Sequence, residues 1–236
     1  MNGIIFYSNT GQSKNVADFI FSKTSWELYD LNNPYDRVKA VNTNFERAIL
    51  IFPIYCQNAP RIITDILKVL NAKFLTAIAT YGKMCYGKVL YDIQERYSAG
   101  KIIAAAYFPM NHSYLNESED VNFEALNCII DKNLNNSTSA VSIEKTYKNI
   151  LADVAMGARS RMGVRLTIDG KKCTKCKKCE AECLYEAIKN GKTNSKCIRC
   201  LKCKSNCPSG AISHKNRLPL RLYLSKRKIN EIKIYV

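Results

Sequence analysis

Residues 171–208 read KKCTKCKKCEAECLYEAIKNGKTNSKCIRCLKCKSNCP and hold eight of the chain's eleven cysteines. The spacing is two, two, three, and then two, two, three again. The first run is Cys173, Cys176, Cys179 and Cys183; the second is Cys197, Cys200, Cys203 and Cys207, with Pro208 next. Thiolates so closely spaced are metal ligands or disulfide partners. Disulfides belong to oxidising compartments. A zinc ribbon needs two C-x2-C pairs and four ligands, so the third and fourth cysteines of each run would be surplus. Both alternatives therefore fit less well than a site using all eight.

Each run has the form C-x2-C-x2-C-x3-C, and residues 166–214 resemble the bacterial two-cluster ferredoxins. The resemblance implies two 4Fe–4S clusters whose fourth ligands are exchanged. Cluster I would take Cys173, Cys176, Cys179 and Cys207. Cluster II would take Cys197, Cys200, Cys203 and Cys183. Leu184 stands where the pattern has Pro, which puts the turn there in question. Cys183-Leu-Tyr-Glu-Ala-Ile and Cys207-Pro-Ser-Gly-Ala-Ile read as an internal duplication.

The residues before this stretch are of another kind. Gly3 to Ser8 is a short apolar strand pattern, followed by a polar loop and a helical pattern with Val16, Ala17, Phe19 and Ile20 on one face. Further strand patterns run Trp26–Leu31, Ala48–Phe52, Phe74–Thr80 and Lys101–Phe108, with helical patterns at Pro60–Leu70 and Gly87–Tyr97. Strand–helix alternation predicts a doubly wound parallel α/β sheet. Val121–Met156 reads as mostly helical, with a break at Asn135–Ser139.

The first loop, Ser8-Asn9-Thr10-Gly11-Gln12-Ser13, gathers hydroxyls at a helix N-terminus, where free N–H groups favour an anion. It matches neither the dinucleotide nor the nucleoside-triphosphate fingerprint. A plain N-cap and turn is the structural alternative. The loop resembles the phosphate loop of the flavodoxins. That resemblance implies FMN on a five-stranded sheet of order 2-1-3-4-5. It also implies two ring-flanking loops, which Pro53-Ile54-Tyr55 and Thr80-Tyr81-Gly82 match in position. Tyr55 and Tyr81 are then the candidates to pack on the flavin ring. His112 lies in the loop after the fifth strand and is a weak candidate for chemistry; Cys56 and Cys85 fall near the ring loops, and Cys128 reads as core.

The whole chain resembles the flavodoxin–ferredoxin fusion family, the ferrodoxins. It divides by composition into a flavodoxin-like domain, 1–165, and a small α+β ferredoxin domain with a basic tail, 166–236. The first carries 18 Lys/Arg against 15 Asp/Glu, the second 18 against 5, within a formal net charge of +16. The expected role is electron transfer between two 4Fe–4S clusters and FMN, with acidic redox proteins as partners. The alternative is an FMN oxidoreductase reducing a small substrate such as a quinone. Nucleic acid is disfavoured because Tyr185 is the only aromatic among residues 166–222. Neither a signal peptide nor a membrane span is read, so a cytoplasmic location is expected. Oligomeric state and redox partners are not legible.

Overall fold

A computed structural model of the chain describes residues 1–115, 119–149, 152, 156–226 and 229–236. They form two units. The larger is drawn from Met1–His112, Glu117–Asn149 and Ile229–Val236, the smaller from Ser113–Asn116 and Ile150–Lys228. The expected division at residue 165 differs from this: Ser113–Asn116 belongs to the smaller unit. The first unit's chain already leaves it near residue 150, and its last strand comes from the C-terminal tail.

In the larger unit the order is β1 (Asn2–Phe6), α1 (Gln12–Thr24), β2 (Glu27–Asp30), α2 (Pro34–Val41), β3 (Asn44–Pro53), α3 (Arg61–Ile66), β4 (Asn71–Tyr81), α4 (Val89–Arg96) and β5 (Lys101–Pro109). A 3-10 turn (Phe123–Leu126) and α5 (Asn127–Leu134) follow. Strands β1 to β5 lie parallel in the order 2-1-3-4-5, as expected. Both sheet faces are buried, which explains the near-continuous apolar runs. Ile5, Leu50, Phe52, Ala77 and Ala79 face a core closed by Ile63, Ile66, Leu90 and Ile93. Their neighbours Ile4, Phe6, Ile49, Ile51 and Ile78 face the opposite core, closed by Val16, Ala17, Ile20, Ile129 and Ile130. Helix α2 carries a start signal that the apolar pattern alone does not reveal: the Asn33 side chain accepts from Tyr35 N–H, and Pro34 opens the helix.

The helical expectation for Val121–Met156 holds to Leu134 and the break at Asn135–Ser139 is present, but no helix resumes between Ala140 and Asn149. Asn136 adopts φ 55°, and beyond it main-chain groups that a helix would use are taken by the neighbouring elements. Arg47 donates to Ser137 O (2.9 Å), Val141 N–H to Ile102 O (2.9 Å), and Ile143 N–H to the Gln94 side chain (3.0 Å). Residues 150–151 and 153–155 of that expectation lie outside the described residues. Cys128 is exposed rather than core, because α5 turns Ile129, Ile130 and Asn133 inward instead.

The smaller unit contains α6 (Met156–Gly163), β6 (Val164–Ile168), α7 (Lys178–Ala181), β7 (Ile188–Lys189), β8 (Lys192–Thr193), α8 (Lys202–Ser205), β9 (Ile212–Asn216) and α9 (Leu218–Leu224). β6 pairs antiparallel with β9, and β7 with β8. The β7–β8 turn is Asn190-Gly191, both at positive φ (47° and 73°), as a two-residue hairpin turn requires. Ala187, Ile188, Ala211 and Ile212 are buried. The two Ala-Ile repeats thus supply the small core, as the sequence implied.

The tail then returns to the larger unit. β10 (Lys233–Tyr235) adds antiparallel to β5, with Lys233 opposite Tyr107 and Tyr235 opposite Ala105.

Candidate functional site

In the smaller unit the two cysteine runs place positive-φ residues and a short helix at matching positions, at an offset of 24 residues. Lys175 and Lys177 flank Cys176 with φ 58° each; Arg199 and Leu201 flank Cys200 with φ 58° and 64°. A non-glycine residue at positive φ is uncommon and costs energy. Four of them at matched positions mark a conformation imposed twice. Turns of this kind aim successive N–H groups inward and make concave sites for anionic groups. After each loop comes one turn of helix, α7 or α8, and then the displaced cysteine. Cys183 N–H donates to Glu180 O (3.2 Å) and Cys207 N–H to Lys204 O (3.3 Å). Ala187 N–H reaches the Cys183 sulfur (3.3 Å), and Ala211 bonds Cys207 in the same place. Glu186 and Gly210 both hold positive φ (49° and 61°).

The electrostatic neighbours of the sulfurs run across the two cysteine runs: Cys183 acts on Cys200 and Cys203, Cys207 on Cys179, and Cys179 also on Cys203. Burial pushes the Cys200 thiol up to about 12, and the neighbouring Cys203, Cys197 and Cys183 push in the same direction. Burial likewise raises Cys203 to about 11, with Cys197 and Cys183 again as its first cysteine neighbours. Burial also raises Cys179, aided by Glu180, Cys176 and Cys207. Burial opposes ionisation of Cys207, but hydrogen bonds from Ser209, Ala211 and Ile212 outweigh it and lower its thiol. Among the described residues no three His, Cys, Asp or Glu side chains converge as ligands of a single ion would. A cubane takes each thiolate at a different iron and does not ask for such convergence.

The two halves differ in their surroundings. Lys175, Cys176, Lys177 and Lys178 are all exposed, whereas Arg199, Leu201 and Lys202 are buried.

In the larger unit, the loop after β1 ends in Gly11, which caps α1 at φ 88° with no side-chain cap. The first helical bond there runs from Asn15 N–H to Gly11 O (2.9 Å). A Cβ at Gly11 would meet nothing within 4 Å, so the mouth of the loop is open at the start of the helix. Asn9 is 5% exposed; its amide donates to the hydroxyls of Tyr7 (2.8 Å) and Tyr55 (2.9 Å). Its Oδ1 is buried without a partner. Ser8 O accepts from the Asn32 side chain (2.7 Å). Thr10 and Gln12 are half-buried at the same mouth.

Not every expected residue faces that mouth. Ser13 is 1% exposed and shares a 2.8 Å hydrogen bond with Thr80, also buried; the pair ties α1 to the end of β4. Ile54 N–H and Tyr81 O are used within the sheet, the former on Thr80 O and the latter by Met110 N–H (2.8 Å each). Pro53 ends β3. Tyr55 remains half-buried on a tight turn closed by paired main-chain bonds to Asn58 (2.9 and 3.0 Å).

Tyr81 corrects the reading of the second ring loop. β4 runs one residue further than the apolar pattern indicates, so Tyr81 points into a sheet face instead of the loop. It is 3% exposed, edge-on to Tyr86 at 5.2 Å, and donates to Glu231 O (2.5 Å) in the tail. Burial raises its hydroxyl above the ordinary tyrosine range. Gly82 is explained by close approach: the His112 ring would lie 2.6 Å from a Cβ there. His112 thus packs on the loop. Cys56 is exposed at positive φ (49°), and Cys85 is half-buried.

Residues 192–213 match the family described as a 4Fe-4S binding domain, Fer4. The chain carries a 4Fe–4S ferredoxin domain. The match falls on the second cysteine run, and the first repeats that run's backbone within the same ferredoxin domain. No curated protein matches the chain. Among solved structures it is similar to a protein of Bacteroides eggerthii DSM 20697 provisionally assigned as a flavoprotein. That match has 16% identity and a TM-score of 0.36, covering 55% of this chain and 95% of that one. It is also similar to the Trp repressor binding protein from Bacillus subtilis, with 12% identity and a TM-score of 0.36, covering 59% and 100%. Among the described residues no helix is long and apolar enough to cross a membrane.

Sequence reasoning missed Lys83, buried at φ 56° beside Tyr81 and paired with Glu119. It missed the tail strand, and it counted Arg199 only among the salt-screened cations expected to raise the cluster potentials, not as a buried group. A cation within a cysteine run reads as a surface charge, and three residues of strand at a chain end carry no periodic signal.

Proposed function

We propose that the protein transfers electrons between two 4Fe–4S clusters in the ferredoxin domain and one FMN on the flavodoxin-like unit, as in the flavodoxin–ferredoxin fusion family. The observation that carries this is the duplicated loop: matched positive-φ residues around Cys176 and Cys200, with each displaced cysteine beside the other run. Cys173, Cys176, Cys179 and Cys207 would hold cluster I; Cys197, Cys200, Cys203 and Cys183 would hold cluster II. The open space at Gly11 and the uncapped start of α1 fit a phosphate monoester, with Tyr55 as the remaining ring platform. Bound clusters supply one-electron transfer, and FMN joins one-electron to two-electron carriers. Keeping both on one chain gives each a high effective concentration of the other.

Lys171, Lys172, Lys175, Lys177 and Lys178 are exposed around the first run. This face would be the docking port for acidic redox proteins, and the cytoplasm the compartment that keeps the thiols reduced. One anoxic experiment tests both parts. A reduced acidic ferredoxin should bleach the clusters and then the flavin, at a rate that falls as salt rises from about 0.1 M to about 1 M. Flavin that stays oxidised on the turnover timescale would reject the relay; a rate indifferent to salt would reject the docking.

A further inference from the structure

Arg199 is a buried arginine inside a metal-ligand loop, and the duplication supplies its own control. It is 9% exposed, and its fork is held from three sides. Nε donates to Val164 O (3.1 Å). Nη1 donates to Thr193 Oγ1 (2.9 Å) and to the Cys197 sulfur (3.1 Å). Its own carbonyl accepts from the Tyr114 hydroxyl (2.7 Å), which fixes the main chain of the loop. Its counterpart Lys175 has the same φ of 58° but is exposed. The backbone therefore does not require a buried guanidinium at this position.

We propose that Arg199 sets the reduction potential of the cluster ligated by Cys197, Cys200, Cys203 and Cys183, and so makes the two clusters inequivalent; this rests on the two-cluster reading above. On reduction each cluster takes one electron from an external reductant, the core passing from 2+ to 1+ with no bond formed or broken. The added negative charge is spread partly onto the thiolates. A charge-assisted N–H···S bond stabilises it, and stabilisation of the reduced form raises the potential. Burial of the second loop works in the opposite direction, so Arg199 offsets the cost of charging a cluster away from water. Lys175 and its exposed neighbours act through water, where salt screens them.

The test is a dithionite titration of the anoxic holoprotein, followed by electron paramagnetic resonance at low and high salt, with Arg199→Lys and Lys175→Gln as variants. Iron and sulfide are measured first: material short of two clusters in the parent protein contradicts the two-cluster reading rather than this inference. With clusters intact, Arg199→Lys should move one of the two one-electron steps to lower potential, leave the other in place, and do so equally at both salt concentrations. Lys175→Gln should produce a smaller shift, which salt removes. Unmoved steps, an upward shift or both steps moving together would overturn the proposal. Should Arg199→Lys lose iron, Thr193→Val removes one anchor of the guanidinium without touching a cysteine. The same single downward step is then required of it, and its absence is equally fatal.

Discussion

Ser13 lies at the start of α1 and Thr80 at the end of β4, 67 positions later, and their hydroxyls meet at 2.8 Å in a buried site. Neither hydroxyl has water to fall back on, so the contact matters more for what its loss leaves behind than for its own strength. Thr80→Val keeps the shape and orphans the Ser13 hydroxyl. The expected cost is about 1–3 kcal/mol of stability, read in urea denaturation of the larger unit, with Ser13→Ala/Thr80→Val recovering part of it. Equal stability of Thr80→Val and the parent would show that the pair does not anchor the loop. At this scale the sequence was informative about residue type and less so about direction. Ser13 belongs to the hydroxyl loop by pattern, but which way its oxygen turns depends on a threonine in another strand. Tyr81 was misread for a related reason: one extra residue of strand turns a loop side chain into a sheet-face one.

Among the elements, the parallel strands were legible because both faces are buried and their apolar runs are continuous. The cysteine loops were legible because ligand spacing is set by chemistry. The stretch after Leu134 was not. Val141 and Ile143 suit a helix or an extended chain equally, and the decision is made by Ile102 O and Gln94 on other elements. β10 was hidden for the same reason; its partner is β5, about 130 residues earlier. The tail is bonded as well as paired: Ile229 N–H donates to Lys83 O (2.8 Å), Glu231 N–H to the Tyr81 hydroxyl (3.1 Å), and Lys233 to Glu144 (2.8 Å). Ending the chain after Lys228 should therefore uncover the β5 edge and the Tyr81 hydroxyl. A loss of about 2 kcal/mol, or about 4–8 °C in Tm, is expected, with cluster content unchanged. An unchanged Tm would mean that the tail does not hold the sheet.

For the whole molecule, the return of the tail makes the ferredoxin domain an insertion between residue 149 and residue 229 of the flavodoxin-like unit, rather than an appendage. Both ends of the small unit are thereby anchored in chain terms. Among the described residues its core amounts to a few side chains, chiefly Val164, Ala187, Ile188, Leu201, Ala211 and Ile212, so bound clusters would contribute much of its folding energy. The exchanged fourth ligands would act as staples between its halves. The most direct test is iron, acid-labile sulfide, zinc and flavin per chain in protein purified without oxygen. About eight irons, about eight sulfides and one FMN are expected, with no zinc. Zinc in place of inorganic sulfide, or a colourless protein without iron, would contradict the two-cluster reading.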